Sequence, residues 1–510
     1  MSESRTSNSI KNVFASIMYQ LLNFVLSFIS RSIFIQVLGV GYLGINGLFN
    51  DVLSMLNLAE LGFGTVMTYG MYKPLAEKDY ETIAGLTQFY KKVYRIVAIS
   101  IAGIGIMLVP FLHYLVNLEQ DIPNLEIYYI LFLASNVASY LVTYKTTVMY
   151  ADQKNYIFIK YTAYWSIAQT IVLTLILFLT HSYMLYLCCQ VIFVYASNFQ
   201  KSHVAQKRYP FIGRKVKLPK EKTRGIFKDV GSAFLYKIAN VLINATDNTL
   251  ISVIVSTEMV GFYSNYQIVT ARLANIVSTV FSSLITSLGN LLVIENEERR
   301  FQVFQIMQSL SFILSTFFVS CIFLLQEDFI RVWLGEDFVL GTLPLIAIVF
   351  NFYFSISITP ITVFREAAGL FRKTKFIMLW TAFFNLVLSI IFGWQLGLAG
   401  IIFATSISKL FTSFWYEPLL LFKEYFKKPC RLYFIQMLKG VAITAVTIFV
   451  SGIVSYWMKP SNWIELILKG GVVSAASLII TILSYHHTSG FRLLTDKVKS
   501  IMLGIRRNRE

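Results

Sequence analysis

Seven ionisable residues lie inside apolar stretches that are long enough to cross a lipid bilayer. A charge near the middle of such a stretch costs about 2.5–3.5 kcal/mol on insertion scales, so it usually marks a transport pathway or a binding site. An arginine guanidinium can bind a phosphate or a carboxylate through two parallel hydrogen bonds, which predicts an anionic substrate. The seven residues are Arg31, Asp51, Glu60, Lys237, Asp247, Arg272 and Lys409.

These residues belong to polar stripes on four predicted helices, the first, second, seventh and eighth along the chain. Residues spaced three and four apart share one helix face, and lipid cannot satisfy the polar groups on such a face. The stripes therefore predict a polar cavity that these four helices line. Their members are Gln20, Asn23, Ser27 and Arg31; Asn46, Asn50, Ser54, Asn57 and Glu60, with Asp51 beside them; Lys237, Asn240, Asn244 and Asp247; and Ser264, Gln267, Arg272 and Asn275.

The same residues could instead have structural roles. Asn, Gln and Ser commonly form hydrogen bonds between packed membrane helices. Lys237 lies about two turns into its span, so its ammonium could extend to the membrane surface. Two buried ion pairs are also candidates: Arg31 with Asp51 or Glu60, and Asp247 with Arg272.

The composition is that of a polytopic helical membrane protein. Of the 510 residues, 56% are hydrophobic and 14% are charged, with a mean hydropathy of +0.63. Apolar stretches of about 20 residues, the length that crosses a bilayer as a helix, recur from end to end. They predict fourteen spans: 13–37, 44–70, 93–116, 126–149, 157–180, 183–203, 229–254, 260–290, 304–325, 343–366, 375–395, 398–422, 434–457 and 463–486.

The basic residues are distributed unevenly between alternate loops. With fourteen spans, most of them fall on the side that also holds both termini, which predicts that this side is cytoplasmic. Anionic lipid head groups then account for the net charge of +17, and no nucleic-acid partner is needed. The sequence has no phosphate-cradling glycine loop, no His-Glu-x-x-His motif and no metal-ligand spacing of its four cysteines. We therefore expect neither a cofactor nor a metal, and no enzymatic activity.

Two sequence matches indicate an internal repeat. The stretch "YLGINGLFN" (42–50) resembles "MVGFYSNYQ" (259–267), which aligns Gly44 with Gly261, and "YTAYW" (161–165) resembles "WTAFF" (380–384) at nearly the same offset. An even number of spans per repeat makes the two repeats parallel. The predicted architecture has two six-helix lobes around a central cavity: lobe 1–205, basic linker 206–228, lobe 229–425, two further helices in 426–490 and a basic tail 491–510.

The chain resembles the polysaccharide-export flippases. The opening "LSFISRSIFIQVLGVGYLGINGLFNDVLSMLNLAELGFG" and the segment "DNTLISVIVSTEMVGFYSNYQ", with twelve plus two spans, are similar to the O-antigen (Wzx-type) flippases of the multidrug/oligosaccharidyl-lipid/polysaccharide exporter superfamily. The resemblance implies translocation of undecaprenyl-diphosphate-linked oligosaccharides by alternating access across the bacterial cytoplasmic (inner) membrane, for O-antigen or capsule synthesis. Related lipid II flippases carry cationic residues in the equivalent cavity, and Arg31 and Arg272 match these.

From the stripes and the resemblance together we predict roles for all seven residues. The substrate-binding residues are Arg31, Arg272, Lys237 and Lys409. The residues that balance these charges, or exchange H+ or Na+ to drive transport, are Asp51, Glu60 and Asp247. The expected partners are the lipid-linked oligosaccharide, membrane lipids, a coupling ion and the polysaccharide polymerase machinery.

Three other functions were weighed against the flippase. A cation-coupled multidrug exporter of the same superfamily would have a small acidic or aromatic cavity. A membrane polysaccharide polymerase would need a large periplasmic loop, and the longest predicted outer loop, 326–342, is short. A membrane scaffold would not need seven charges within its spans.

Overall fold

The computed structural model describes residues 5–57, 63–118, 122–216, 218–219, 238–239, 241–243, 245–282, 288, 291–292 and 295–496. Within these ranges all regular elements are helical, as predicted, and none is a strand. Eleven of the helices precede residue 283: α1 Arg5–Leu38, α2 Val40–Leu56, α3 Phe63–Glu77, α4 Tyr80–Leu108, α5 Leu112–Leu115, α6 Leu125–Tyr140, α7 Thr143–Ala151, α8 Asn155–Thr180, α9 Tyr183–Arg208, α10 Asp247–Ile254 and α11 Thr257–Ser282.

The remaining helices lie over the predicted spans, two of which are each divided between two successive helices. They are α12 Glu297–Leu334, α13 Thr342–Ser357, α14 Thr359–Ala367, α15 Phe371–Leu396, α16 Leu398–Phe411, α17 Ser413–Leu421, α18 Arg431–Ser455 and α19 Trp463–Tyr485. Among the described residues, nine helices are long and apolar enough to cross a membrane, or ten if α6 and α7, bent by 48°, are one span. The chain is thus a multi-span membrane protein, and the total of fourteen spans stays a prediction.

The chain forms two compact units, Met1–Ser264 and Asn265–Glu510. In the first unit α1 packs against α8, α6 against α9, and α2 against α10. In the second, α12 packs against α13, α18 and α19, and α15 against α16. The predicted lobe and linker boundaries concern the repeats rather than these packing units, and they stay predictions.

A sharp turn between α1 and α2 positions the first polar stripe against the second. Gly39 makes this turn with φ of +87°, a conformation that side chains with a Cβ rarely adopt. Its amide donates to the carbonyl of Ile35 at 2.9 Å, which closes the end of α1. The two helices therefore follow each other directly, without a loop.

The start of α11 is fixed to the end of α5 by backbone and side-chain hydrogen bonds. The Thr257 amide donates to the Asn117 carbonyl, and the Asn117 amide donates to Thr257 Oγ1, both at 2.8 Å. Ser252 Oγ donates to the Leu115 carbonyl at 2.6 Å and also contacts Thr257 Oγ1 at 2.7 Å. These bonds satisfy polar groups that lipid could not, and they hold α10 and the start of α11 against the end of α5.

Candidate functional site

Arg31 on α1 binds the first part of α11. Its Nη1 atom donates to Ser264 Oγ at 2.6 Å, and Ser264 Oγ donates in turn to the Gly261 carbonyl at 2.7 Å. The guanidinium is half-buried and also interacts electrostatically with Tyr186 on α9. Ser264 thus fixes the orientation of a fork of N–H donors that fits phosphate or carboxylate oxygens.

Two glycines bring α2 and α11 into backbone contact beside this bond. A Cβ on Gly44 would lie 1.9 Å from the Thr257 carbonyl oxygen, and one on Gly261 would lie 2.5 Å from the Val40 carbonyl oxygen. No side chain fits at either position unless the helices move apart. We call this contact of Val40 and Gly44 with Thr257 and Gly261 the glycine crossing.

The contacts of the glycine crossing are reciprocal between the two repeats. The repeat that aligns Gly44 with Gly261 also aligns Val40 with Thr257, so each glycine faces the partner of the other. Such a pattern is what a two-fold axis through the contact produces. The repeats and their parallel orientation stay predictions.

Arg31 occupies one of two equivalent places next to the glycine crossing. The same repeat offset relates Arg31 to Asn248, and Ser264 to Gly47. A Cβ on Gly47 would lie 3.9 Å from Asn248 Nδ2, so the equivalent pair is also in contact. Arg31 is charged, whereas Asn248 in the equivalent place is neutral. This difference is expected for a functional residue rather than for packing that both repeats share.

Asp51 caps α10 instead of pairing with Arg31. Its Oδ2 atom accepts from the Asn248 amide at 3.3 Å, in the first turn of the helix, where backbone amides have no partner within the helix. In the described part of the chain, Arg31 and Asp51 form no ion pair with each other. Asp247 begins the same helix, and a carboxylate there is stabilised by the helix dipole.

An aromatic cluster lies beside Arg31, about one helical turn further along α1. The Phe34 ring packs edge-on against Tyr183 and Tyr186, with ring centroids 5.9 and 5.5 Å away. Tyr183 also packs against Tyr42 and Tyr128, and its hydroxyl donates to Asn46 Oδ1 at 3.1 Å. The sequence analysis missed this cluster, although Tyr183 and Tyr186 have helical spacing.

The other predicted site residues are divided between the units or lie outside the described ranges. Arg272 on α11 and Lys409 on α16 are half-buried in the second unit. Within the described ranges, no hydrogen bond or ion pair involves Arg272. Glu60 and Lys237 lie outside the described residues. The structure therefore joins Arg31 to Ser264 and Asp51 to Asn248, all of which belong to the predicted stripes or their neighbours.

A buried ion pair in the second unit was not predicted. Arg365 on α14 donates from Nη1 to Glu417 Oε1 on α17, and the two side chains are only 3% and 7% exposed. Neither residue was among the predicted site residues, although the predicted spans 343–366 and 398–422 contain them. The pair is 52 positions apart, so no local pattern indicates it.

A second group of charges connects α12 with α19. Asp328 binds Lys469 at 2.5 Å and Arg331 at 2.7 Å, and Arg331 also binds Glu336. The hydrogen bond from Arg331 lowers the pKa of the Glu336 carboxyl in the loop after α12. These charges are mutually paired, which accounts for them structurally.

Comparison with solved structures identifies the fold, whereas comparison of the sequence finds no match. The chain matches no protein-family model and no curated protein sequence. It is similar to the lipid II flippase MurJ in an inward closed conformation, with 14% identity, a TM-score of 0.67, and 94% of this chain and 99% of that chain covered.

Other transporters with the same architecture also match. An inward-facing multidrug resistance MATE family transporter of the MOP superfamily is 15% identical with a TM-score of 0.55, and the match covers 77% of this chain and 91% of that one. A MOP superfamily transporter from Pyrococcus furiosus is 12% identical with a TM-score of 0.56, covering 84% and 98%. The chain has the MOP transporter fold. The MurJ match extends over more of the chain than either of these two.

Proposed function

We propose that this protein is a flippase for an anionic lipid-linked saccharide, specifically the undecaprenyl-diphosphate-linked repeat unit of an O-antigen or capsule. The observation that carries the proposal is the Arg31 guanidinium, held by Ser264 inside a membrane span. A fixed guanidinium suits a diphosphate, because it can donate two parallel hydrogen bonds. Tyr186 beside it is half-buried and has a ring on which a sugar can pack.

The similarity to MurJ supports a flippase over a multidrug exporter. It covers 94% of this chain, and the multidrug resistance MATE family transporter covers 77%. MurJ is named as a flippase for lipid II, a lipid-linked substrate. A substrate of the same general class fits the cationic position at Arg31.

Arg31 links substrate binding to the glycine crossing. The predicted topology places the starts of α2 and α11 at the outer face, so exposure to that face requires Gly44 and Gly261 to separate. The Arg31–Ser264 hydrogen bond connects α1 to α11 beside the glycine crossing. A diphosphate that accepts from Arg31 in place of Ser264 removes this bond and favours separation, which makes opening depend on the substrate.

Asp51 is our candidate for the residue that takes up the coupling ion. Its carboxylate connects α2 to the start of α10, and a proton on it would weaken the hydrogen bond from the Asn248 amide. Protonation would then loosen the packing beside the glycine crossing, on the side opposite Arg31. The ion and the substrate thus act on one structural element.

The test is the fate of lipid-linked repeat units in the source bacterium. A strain deleted for this gene should accumulate undecaprenyl-diphosphate-linked oligosaccharide in its lipid extract and lose the surface polysaccharide. The wild-type gene should restore both, whereas Arg31→Ala at equal protein levels should not. An unchanged polysaccharide in the deletion strain, together with increased sensitivity to cationic drugs, would favour the multidrug exporter instead.

A further inference from the structure

A polar cavity lies in the first unit, away from Arg31. Its volume is about 340 Å³, and α1, α7, α8 and α9 line it. Its position on α1 is marked by Tyr19, twelve residues before Arg31, which is about 18 Å along a helix. The predicted topology puts Arg31 near the outer face and this cavity near the cytoplasmic face. The two are therefore separate sites.

The donors of the cavity surround one positive charge. Lys201 on α9 is half-buried, and among the described lining residues it is the one with a charged side chain. In the part of the chain that the structure describes, it forms no hydrogen bond or ion pair. Asn198 and Asn155 add amide donors, and Tyr150 adds a hydroxyl. An anion that entered here would meet an ammonium and several neutral donors.

The acceptors of the cavity are threonine hydroxyl oxygens. Thr143 donates its hydroxyl proton to the Ser139 carbonyl of α6 at 2.6 Å, and Thr146 and Thr162 each donate to a carbonyl of their own helix, at 3.0 and 2.8 Å. Their oxygens keep lone pairs that can accept from a ligand hydroxyl. The cavity is thus suited to a ligand that combines an anionic group with hydroxyl groups.

Hydrogen bonds between elements hold the walls of the cavity in place. Asn12 on α1 donates from Nδ2 to the Gln153 carbonyl at 2.8 Å and accepts from the Tyr156 amide at 2.7 Å. Asp152, in the connection between α7 and α8, binds Lys154 and accepts from the Tyr209 hydroxyl at 2.5 Å. Burial and this contact with Asp152 raise the pKa of the Tyr209 hydroxyl, so it remains a donor at neutral pH. Asp152 is therefore engaged elsewhere and does not neutralise Lys201.

We propose that this cavity is a binding site for a phosphate ester that carries free hydroxyl groups, with Lys201 as the residue that binds the phosphate. A phosphate has several oxygens that accept from different directions, which matches one ammonium surrounded by amides. The hydroxyl groups of the ester donate to the threonine oxygens. The ester can be a lipid head group of the cytoplasmic leaflet or a soluble molecule.

Purified full-length protein in detergent tests the site by titration with three probes. These are dihexanoyl phosphatidylglycerol, free glycerol 3-phosphate, and dihexanoyl phosphatidylcholine, whose head group has no hydroxyl. The measurement is the saturable rise of the thermal unfolding midpoint. We expect phosphatidylglycerol, glycerol 3-phosphate or both to bind, and phosphatidylcholine to bind more weakly. Binding of the first alone indicates a lipid head group, and binding of the second alone a soluble ester.

Variants on a single helix identify the residue responsible. Lys201→Gln should weaken the apparent affinity about tenfold, the effect of losing one charge-assisted hydrogen bond. Lys207→Gln, a change of an exposed lysine on the same helix, should leave it unchanged. Asn198→Leu keeps the charge and should weaken binding less. Equal affinity of Lys201→Gln and wild type, or no saturable binding of either hydroxylated probe, would overturn the proposal without affecting the role of Arg31.

Discussion

Gly44 and Gly261, which the predicted internal repeat aligns with each other, lie against each other. A Cβ on Gly261 would be 3.1 Å from the Gly44 backbone nitrogen, and one on Gly44 would be 1.9 Å from the Thr257 carbonyl oxygen. The helices α2 and α11 can approach this closely because neither has a side chain there. Arg31 and Asp51 bind residues on either side of this contact, so the contact and the two charges form one structural element.

Substitution of Gly44 by alanine should therefore be costly. The added methyl group meets a backbone carbonyl, which cannot rotate away, and we expect a loss of about 1–3 kcal/mol in stability. Gly470→Ala on α19 is the matched control, because a Cβ there meets nothing within 4 Å and alanine favours a helix. Thermal unfolding in detergent should rank Gly44→Ala below wild type and Gly470→Ala at or above it. Equal midpoints for the two variants would mean that the crossing is not packed as described.

Asp51→Asn should separate the charge of this residue from its hydrogen bond. The asparagine oxygen can still accept from the Asn248 amide, so we expect the thermal midpoint to change by the equivalent of less than about 1 kcal/mol. Transport that depends on titration of Asp51 should fall at least tenfold, because asparagine cannot take up a proton at neutral pH.

The readout for Asp51→Asn is export measured with and without a proton-gradient uncoupler. Wild-type export should fall when the uncoupler is added, and the residual export of the variant should be insensitive to it. If the variant retains full, uncoupler-sensitive export, Asp51 is a helix cap and nothing more. Asp51→Ala removes the acceptor as well and should also lower stability, which distinguishes the two roles.

Breaking the Arg365–Glu417 pair should destabilise the second unit strongly. Removal of one partner leaves an uncompensated buried charge, which typically costs about 3–5 kcal/mol. Lys373→Gln, which removes the exposed partner of Glu424, should cost about 0–1 kcal/mol. Thermal unfolding of Arg365→Gln and Lys373→Gln compares the two cases directly.

A double variant provides the converse test of the same pair. Arg365→Met combined with Glu417→Leu removes both charges and keeps the volume, so stability should recover toward that of wild type. A double variant as unstable as Arg365→Gln would show that the pair contributes more than mutual neutralisation. In that case its role would have to be sought in transport.

The sequence indicated the helical class and most of the residues beside the glycine crossing. Regular apolar spacing predicts membrane helices, and Arg31 and Ser264 follow from helical periodicity because both signals are local. The partners could not be predicted in the same way. Whether Arg31 meets Asp51 or Ser264 depends on how α1, α2 and α11 cross, and the crossing is set by two glycines more than two hundred residues apart.

Other features have no local signal at all. Arg365 looks like one more basic residue at a cytoplasmic loop, since only the fold brings Glu417 to it. The cavity at Lys201 likewise combines four helices, each of which contributes one to three polar groups with ordinary spacing. Such sites require the tertiary arrangement.

The central claim is that Arg31 binds the anionic part of a lipid-linked saccharide. The most direct measurement is the retention of an undecaprenyl-diphosphate-linked oligosaccharide by purified wild-type, Arg31→Ala and Ser264→Ala protein in native mass spectrometry. We predict at least tenfold weaker retention for Arg31→Ala, since a bidentate charge-assisted contact is lost, and retention close to that of wild type for Ser264→Ala. Retention by Arg31→Ala equal to that of wild type would contradict the account.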